Sequence, residues 1–139
     1  DALRDALVVA AMRGVDVHVL VPVDCDNAIA DAAMRTYYDD LVPMGVVIHE
    51  YEPRMLHAKT LVIDDCLAIV GTANFDNRSL KLNFEVVAVL HGTPVVDALA
   101  ARFALDLSQS RLVTRRELAM NPWYRRLAEA AARLLSPLM

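Results

Sequence analysis

The sequence predicts an α/β fold in which a mixed β-sheet is flanked by helices on both faces. Apolar residues recur at helical spacing at both ends of the chain, and alternating or wholly apolar segments fill its middle. Glycine and proline stand between these segments, where elements are expected to end. Because 56% of the 139 residues are apolar, we expect one domain spanning 1–139 around a single core.

Two helices and two strands are expected in the first part of the chain. They are a helix from Leu3 that ends at Gly14, a strand at 15–22, a helix from Asn27 to about Val42 and a strand at 46–51. Apolar residues lie three or four positions apart in the helices and alternate in the strands. Pro22 closes the first strand, and Pro43 breaks the second helix.

The rest of the chain predicts three further strands and then helices. The expected elements are strands at 56–63, 67–70 and 84–90, a helix after Thr93 and Pro94, a capped turn at 114–117 and a last amphipathic helix from Asn121 that carries Trp123. Thr93 is suited to cap a helix, and Pro94 to occupy its first position. Thr114 and Glu117 have the spacing of a capping box.

Charge and composition argue against several classes of protein. The net charge is −4, whereas nonspecific nucleic-acid binding usually requires a basic excess, so no nucleic acid is expected as a partner. No apolar run of about 18 residues is present, so no membrane-spanning helix is expected. Cys25 and Cys66 lack metal-ligand spacing and are expected to be free thiols. The chain begins at Asp1 rather than Met, which indicates a fragment of a longer chain.

His57 and Lys59 are the first candidates for chemistry. They fall on the same face of the predicted strand at 56–63, because alternate residues of a strand share a face. The pair suits a phosphate group, since lysine supplies charge and donors while histidine attacks or passes a proton near neutral pH. Asp64 lies on the opposite parity at the end of the strand, where a role in the turn is expected.

A Gly-Thr-Ala-Asn turn at 71–74 supplies further polar groups. Gly71 lets the backbone pass where a side chain would clash, and Thr72 and Asn74 offer a hydroxyl and an amide to oxygens. A hairpin turn after the strand would return this loop to the side of His57. We therefore expect a compact site for a phosphate oxyanion.

Glu85 is expected to orient the ring of His57, because a carboxylate in an otherwise apolar strand is costly unless it is paired. The remaining histidines have no comparable set of polar residues around them and are interpreted as surface or strand-end residues; they are His18, His49 and His91. Three aromatic residues are interpreted as core or helix-packing residues; they are Tyr37, Tyr38 and Trp123.

The spacing of these residues resembles the HKD motif of the phospholipase D superfamily. The motif here is His57-x-Lys59-x4-Asp64-x6-Gly71-Thr72-x-Asn74. The segments "GVDVHVLVP", "YEPRMLHAKT", "NFDNRSLKLNFEV" and "NPWYRRLAEAAARLLSPLM" resemble bacterial cardiolipin synthases. The likeness covers nearly the whole chain and corresponds to the C-terminal half of that family's protein.

The resemblance implies that His57 is one of two active-site histidines, acting as nucleophile or as general acid/base. It implies that Lys59 binds phosphate oxygens and that Thr72 and Asn74 line the phosphate site. Thr72 replaces the commoner serine of the superfamily and keeps its hydroxyl.

Three more residues receive roles from the same resemblance. Glu85 matches the acidic residue that orients the histidine, Asp64 belongs to the catalytic motif in a supporting role, and Arg78 contacts a phosphate or headgroup. No metal or other cofactor is implied, because Lys59 and its counterpart supply the positive charge.

The resemblance also implies that half of the site lies outside this sequence. Two HKD motifs face each other across a pseudo-twofold axis, and this chain carries one. The expected partners are the N-terminal HKD half of the same chain or a second copy as a homodimer, together with the membrane surface. The implied reaction transfers a phosphatidyl group between two phosphatidylglycerol molecules through a phosphohistidine and releases glycerol. The resemblance implies that the whole protein is located at the bacterial cell membrane, with its catalytic part facing the cytoplasm. The fragment itself is expected to be soluble.

Two alternatives stay open from the sequence. The chain is a single-motif, homodimeric phosphodiesterase, phospholipase or nuclease of the same superfamily, or it is a noncatalytic phosphate- or membrane-binding module. The second alternative rests on the last helix, whose arginines and apolar residues suit a bilayer surface.

Overall fold

A computed structural model describes residues 2–23, 28–53, 55–64, 66–74, 79, 82–92 and 94–122. The elements, in chain order, are α1 (Ala2–Met12), β1 (His18–Pro22), α2 (Ala28–Leu41), a 3-10 turn (Val42–Met44), β2 (Val47–Tyr51), β3 (Thr60–Ile63), β4 (Leu67–Gly71), β5 (Val87–His91), α3 (Pro94–Ser108), β6 (Ser110–Leu112) and α4 (Arg115–Ala119). The chain divides into two compact units, one of residues 1–55 with 110–139 and one of residues 56–109.

The first unit contains a mixed sheet in the order β1-β2-β6. β1 and β2 are parallel, and β6 joins β2 in the antiparallel direction. The core lies on one face of this sheet, where strand residues pack against α2 and the turn that follows it. Its buried members are Val17, Tyr38, Leu41, Val42, Val46, Ile48 and Val113. Tyr38 is thus a core residue, as the sequence predicts, and Tyr37 packs against the same cluster.

A buried carboxylate, Glu50, connects four elements of the first unit. Its side chain is 2% exposed, and it accepts hydrogen bonds from Arg35 (3.3 Å), from the Tyr38 hydroxyl (3.3 Å) and from Arg111. Arg111 also pairs with Glu117 at 2.6 Å. Burial raises the pKa of Tyr38, and the Glu50 carboxylate raises it further. The network therefore ties α2, β2, β6 and α4 together through one charge.

His18 and His49 interact across β1 and β2. His18 Nδ1 lies 3.0 Å from His49 Nε2, and His18 Nε2 lies 3.1 Å from the Asp16 carboxylate. One facing nitrogen must donate and the other accept, so the two rings share a single proton between them. Burial lowers the pKa of His49, and the neighbouring His18 lowers it further. His18 is thus an exposed residue at the start of β1, as predicted, whereas the same prediction is wrong for His49, which is half-buried in the middle of β2.

The second unit contains an antiparallel sheet in the order β3-β4-β5. Helix α3 contacts all three strands. Ala68 of β4 and Val96 of α3 are both 0% exposed and mark the core of this unit. Much of β5 is exposed by contrast, with Val87 and Val89 at 48% and 51%.

Most predicted elements are present, with shifted ends. The helix expected after Pro94 covers 94–108, and Thr114 and Glu117 form the expected capping box. Strand β3 is shorter than predicted, and β5 begins at Val87 rather than at residue 84. Strand β6 was not predicted, because three residues are too few to show a period. Cys25, Thr93 and the helix expected from Trp123 lie outside the described residues.

In the part of the chain that the structure describes, no helix is long and apolar enough to cross a membrane. The single domain expected over 1–139 stays a prediction.

Replacing Glu50 with Gln should destabilise the chain, because two guanidinium groups and a phenol lose their charged acceptor. We expect the free energy of unfolding to fall by about 2–3 kcal/mol, less than for a fully buried pair, because Arg35 and Arg111 reach solvent. The matched control is Glu52→Gln at an exposed position, with an expected change below about 0.5 kcal/mol. Urea denaturation followed by circular dichroism measures both, and equal losses would contradict the role of Glu50.

We expect the chain to lose stability as the pH falls below neutral, with His49 as one source. The folded-state pKa of His49 is lowered from 6.5, so unfolding takes up a proton below that value. The stability that depends on neutral His49 is complete above the unfolded-state pKa and is lost as the pH falls below it. Urea midpoints at about pH 7.5 and about pH 5.5 should therefore differ less for His49→Gln than for the parent. His91→Gln, a change at an exposed histidine, should behave like the parent; identical pH dependence in all three proteins would refute the assignment.

Candidate active site

Five predicted site residues lie at one end of the sheet in the second unit. Strand β3 begins, β4 ends and β5 begins at this end, because neighbouring strands are antiparallel. His57 and Lys59 precede β3, Thr72 and Asn74 follow β4, and Glu85 precedes β5. The hairpin predicted to return the Gly-Thr-Ala-Asn turn towards His57 is thus present as the β3–β4 pair.

Gly71 brings the ends of β4 and β5 close together. A Cβ at this position would lie 2.3 Å from the Val86 carbonyl oxygen and 2.7 Å from a methyl of Val87. Its amide donates to the Lys59 carbonyl at 3.2 Å on the other side. Any residue other than glycine would push β4 away from β5, so the clash expected from the sequence is real and its partner is β5.

Thr72 is bound to the chain before β5 through its backbone and its side chain. Its amide donates to the Val86 carbonyl at 3.0 Å, and its hydroxyl oxygen accepts from the Val86 amide at 3.0 Å. The hydroxyl donates to Glu85 Oε2 at 2.5 Å. A hydroxyl has one hydrogen, so in this arrangement Thr72 orients Glu85 and does not also donate to a phosphate. The Val86 contacts could not be predicted from the sequence, because they use only the backbone of Val86.

His57 and Lys59 place an imidazole and an ammonium at the sheet end. The side chain of His57 is exposed, and Lys59 is half-buried. Lys59 Nζ donates to the His57 carbonyl oxygen at 3.4 Å. An ammonium has three donors, so this bond leaves Lys59 able to bind phosphate oxygens. Asn74, which follows the end of β4, is also exposed.

Glu85 is half-buried and accepts the hydrogen bond from Thr72. The premise that it stands in a buried strand is wrong, because it precedes β5 and Val87 and Val89 of that strand are half exposed. Its stabilising partner in the structure is a hydroxyl. Its role in orienting the His57 ring stays a prediction.

Asp64 lies at the opposite end of β3 from the other motif residues. Four residues separate it from Lys59, and the five steps along extended chain span roughly 17 Å. It is exposed, and its φ is 49°, a left-handed conformation that aspartate tolerates better than most residues. This placement favours a role in the β3–β4 turn. Arg78, the remaining candidate for a phosphate contact, lies outside the described residues.

Among the described residues, no group of three or more histidine, cysteine, aspartate or glutamate side chains is arranged to hold a metal ion. The described functional groups at the sheet end are an exposed imidazole, an ammonium and a carboxylate that is hydrogen-bonded to a hydroxyl.

Residues 1–107 match the family model described as "Cardiolipin synthase, PLD-like domain". The chain belongs to this family. It is 40% identical over 138 residues to the major cardiolipin synthase ClsA of Bacillus subtilis (strain 168), covering 99% of this chain and 29% of that protein. It is 42% identical over 134 residues to a cardiolipin synthase of Geobacillus kaustophilus (strain HTA426), covering 96% and 27%. This member of the family thus spans less than a third of the length of these relatives.

The fold of this cardiolipin synthase family member is also that of a solved phospholipase D family member, Nuc from Salmonella typhimurium. The TM-score is 0.68 at 22% sequence identity, covering 79% of this chain and 72% of that one. The likeness confirms the fold class predicted from the sequence, an α/β fold with helices flanking the sheet. In place of one mixed sheet, the described strands form a mixed sheet and an antiparallel sheet.

Gly71→Ala should loosen the sheet end that carries the candidate site. The added methyl meets the Val86 carbonyl, so we expect the Thr72 and Val86 amides to exchange with solvent at least about tenfold faster. The control is Gly92→Ala, where a Cβ meets nothing within 4 Å and only the positive φ of 49° adds strain. Hydrogen exchange measured by NMR at the two amides separates the variants. Unchanged protection in Gly71→Ala would contradict the close approach of β4 and β5.

Proposed function

We propose that this chain is the C-terminal catalytic half of a cardiolipin synthase. The reaction transfers a phosphatidyl group from one phosphatidylglycerol molecule to another and releases glycerol. The observation that carries the proposal is the meeting of His57, Lys59, Thr72 and Glu85 at one end of a sheet, in a chain of the cardiolipin synthase family.

His57 is the proposed nucleophile or general acid/base of this half. As nucleophile, a ring nitrogen attacks the phosphorus of phosphatidylglycerol, and the bond from phosphorus to the headgroup oxygen breaks. Glycerol leaves after taking a proton from the histidine of the other half. That histidine then removes a proton from the hydroxyl of a second phosphatidylglycerol, whose oxygen attacks phosphorus and displaces His57. The exposure of the His57 side chain supports this role, because a nucleophile must be reached by the substrate.

Lys59 and the Thr72–Glu85 pair have separate roles in this proposal. Lys59 stabilises the negative charge that develops on the phosphate oxygens, as a preorganised cation does in phosphoryl transfer. Thr72 holds Glu85, and Glu85 in turn is proposed to hold the imidazole of His57 in the tautomer needed for attack. Thr72 is therefore a positioning residue, since its hydroxyl hydrogen is bonded to Glu85.

The second histidine is proposed to come from an N-terminal HKD half, at the surface of the bacterial membrane. One HKD motif in the sequence and a length below a third of that of its relatives support this division. The isolated chain of 139 residues is therefore expected to have little or no synthase activity.

The test is product analysis of the complete protein with phosphatidylglycerol vesicles. His57→Ala should lower cardiolipin formation by on the order of a thousandfold or more. Thr72→Val should lower kcat by at least about tenfold, and Thr72→Ser, which keeps the hydroxyl, should restore most of it. Circular dichroism verifies that each variant is folded.

Two results would contradict the proposal. Cardiolipin formation by folded His57→Ala at the parent rate would remove His57 from the reaction. Equal activity of Thr72→Val and Thr72→Ser would show that the hydroxyl positions nothing. Radiolabelled phosphatidylglycerol also identifies the nucleophile, because a phosphoenzyme trapped in His57→Ala would assign the attack to the other half.

A further inference from the structure

Three apolar side chains are exposed in the segment before β5, the segment that also carries Glu85. Leu82 is 75% exposed, Phe84 107% and Val86 76%. We call these three residues the 82–86 apolar row. Large apolar groups that lie exposed together mark binding surfaces more often than isolated ones do. The row is therefore expected to bind a ligand that itself has apolar surface.

The position of the row relative to the site is fixed by Thr72. Both the amide and the carbonyl of Val86 bond to Thr72, and Glu85 between Phe84 and Val86 accepts the Thr72 hydroxyl bond. Glu85 is half-buried, whereas both of its neighbours are exposed. Phe84 and Val86 are thus each one residue from the carboxylate, about 3.8 Å between consecutive Cα atoms.

We infer that the 82–86 apolar row contacts the acyl-chain region of the lipid whose phosphate occupies the site. This inference rests on the proposed function. A phosphatidyl group carries its acyl esters on the glycerol that is bonded to the phosphate, so apolar chains leave the site within a few bonds of phosphorus. Phe84 and Val86 are the exposed apolar side chains at that distance from Glu85.

Charge favours apolar contact as the means of holding the lipid near this row. The chain has a net charge of −4, and anionic lipids attract clusters of lysine and arginine rather than acidic proteins. Burial of an exposed phenylalanine against acyl chains removes apolar surface from water, and this favourable contact requires no charged group. The row thus selects substrates by their apolar part, while Lys59 binds the phosphate.

The test compares two phosphatidylglycerols in the complete protein. One has dioleoyl chains in vesicles, and the other has dihexanoyl chains and dissolves as monomers. For Phe84→Ala, we expect the ratio of kcat/KM for the long-chain lipid to that for the short-chain lipid to fall by about tenfold or more. Phe84→Leu, which keeps an apolar side chain, should restore most of the ratio.

The matched control is Val95→Ala, at the start of α3. Val95 is 52% exposed and follows the end of β5 that is remote from the site. This variant should leave the ratio at the parent value. A fall in the ratio as large as that of Phe84→Ala would overturn the inference, because the effect would then belong to any exposed apolar residue.

Other outcomes separate this inference from its rivals. Equal loss for both lipids, together with a lower Tm or a changed oligomeric state, would show that the row lies against another part of the protein. An unchanged ratio in folded Phe84→Ala would show that the row touches no lipid. If the parent protein makes cardiolipin and the ratio is unchanged in Phe84→Ala, only the acyl-chain inference is overturned. If the parent protein makes no cardiolipin from either lipid, both the proposed function and the acyl-chain inference are overturned.

Discussion

The close approach of β4 to β5 at Gly71 is the constraint on which the candidate site depends. With a Cβ excluded by a carbonyl oxygen at 2.3 Å, the next residue is placed where Thr72 bonds to Val86 at both its amide and its hydroxyl. The amide of Gly71 itself donates to the Lys59 carbonyl on the opposite side. Because Gly71 has no side chain, the ends of β3, β4 and β5 can lie close together. Their approach determines where the polar groups next to those ends are placed.

Different interactions stabilise the two units. The first unit has a compact apolar core and one buried carboxylate held by two guanidinium groups and a phenol. The second unit has a three-stranded sheet with a helix packed on it, and much of the apolar surface near its functional end stays in solvent. Exposed apolar surface of this kind next to the candidate site is the observation behind the proposed contact with the acyl chains of a lipid.

The sequence predicted much of this structure because its signals are local. Periodicity, Pro94 and the capping pair of Thr114 and Glu117 each act within a few residues, and the cap and the three helices expected before residue 110 are confirmed. The HKD spacing likewise predicted which residues would gather at one sheet end, and the β3–β4 hairpin is what brings them there. The shared strand face expected for His57 and Lys59 is wrong, because both precede β3. Asp64 could be assigned to the turn by parity alone.

Features that depend on contacts between distant residues were missed. Glu50 has partners 15 and 61 residues away, and the His18–His49 pair depends on the register of two parallel strands. Neither leaves a pattern in the sequence. Glu85 was assigned correctly as a group in need of a partner, but the exposure of β5 and the choice of Thr72 as that partner depend on packing that a single sequence does not contain.

The most direct measurement is a crystal structure of the complete protein with bound vanadate, which mimics a phosphoryl group in transfer. The account predicts vanadium within bonding distance of a His57 ring nitrogen and vanadate oxygens hydrogen-bonded to the Lys59 ammonium, with Thr72 still bonded to Glu85. Vanadate bound elsewhere, with His57 and Lys59 turned away from it, would contradict the central claim that this sheet end is the phosphate site.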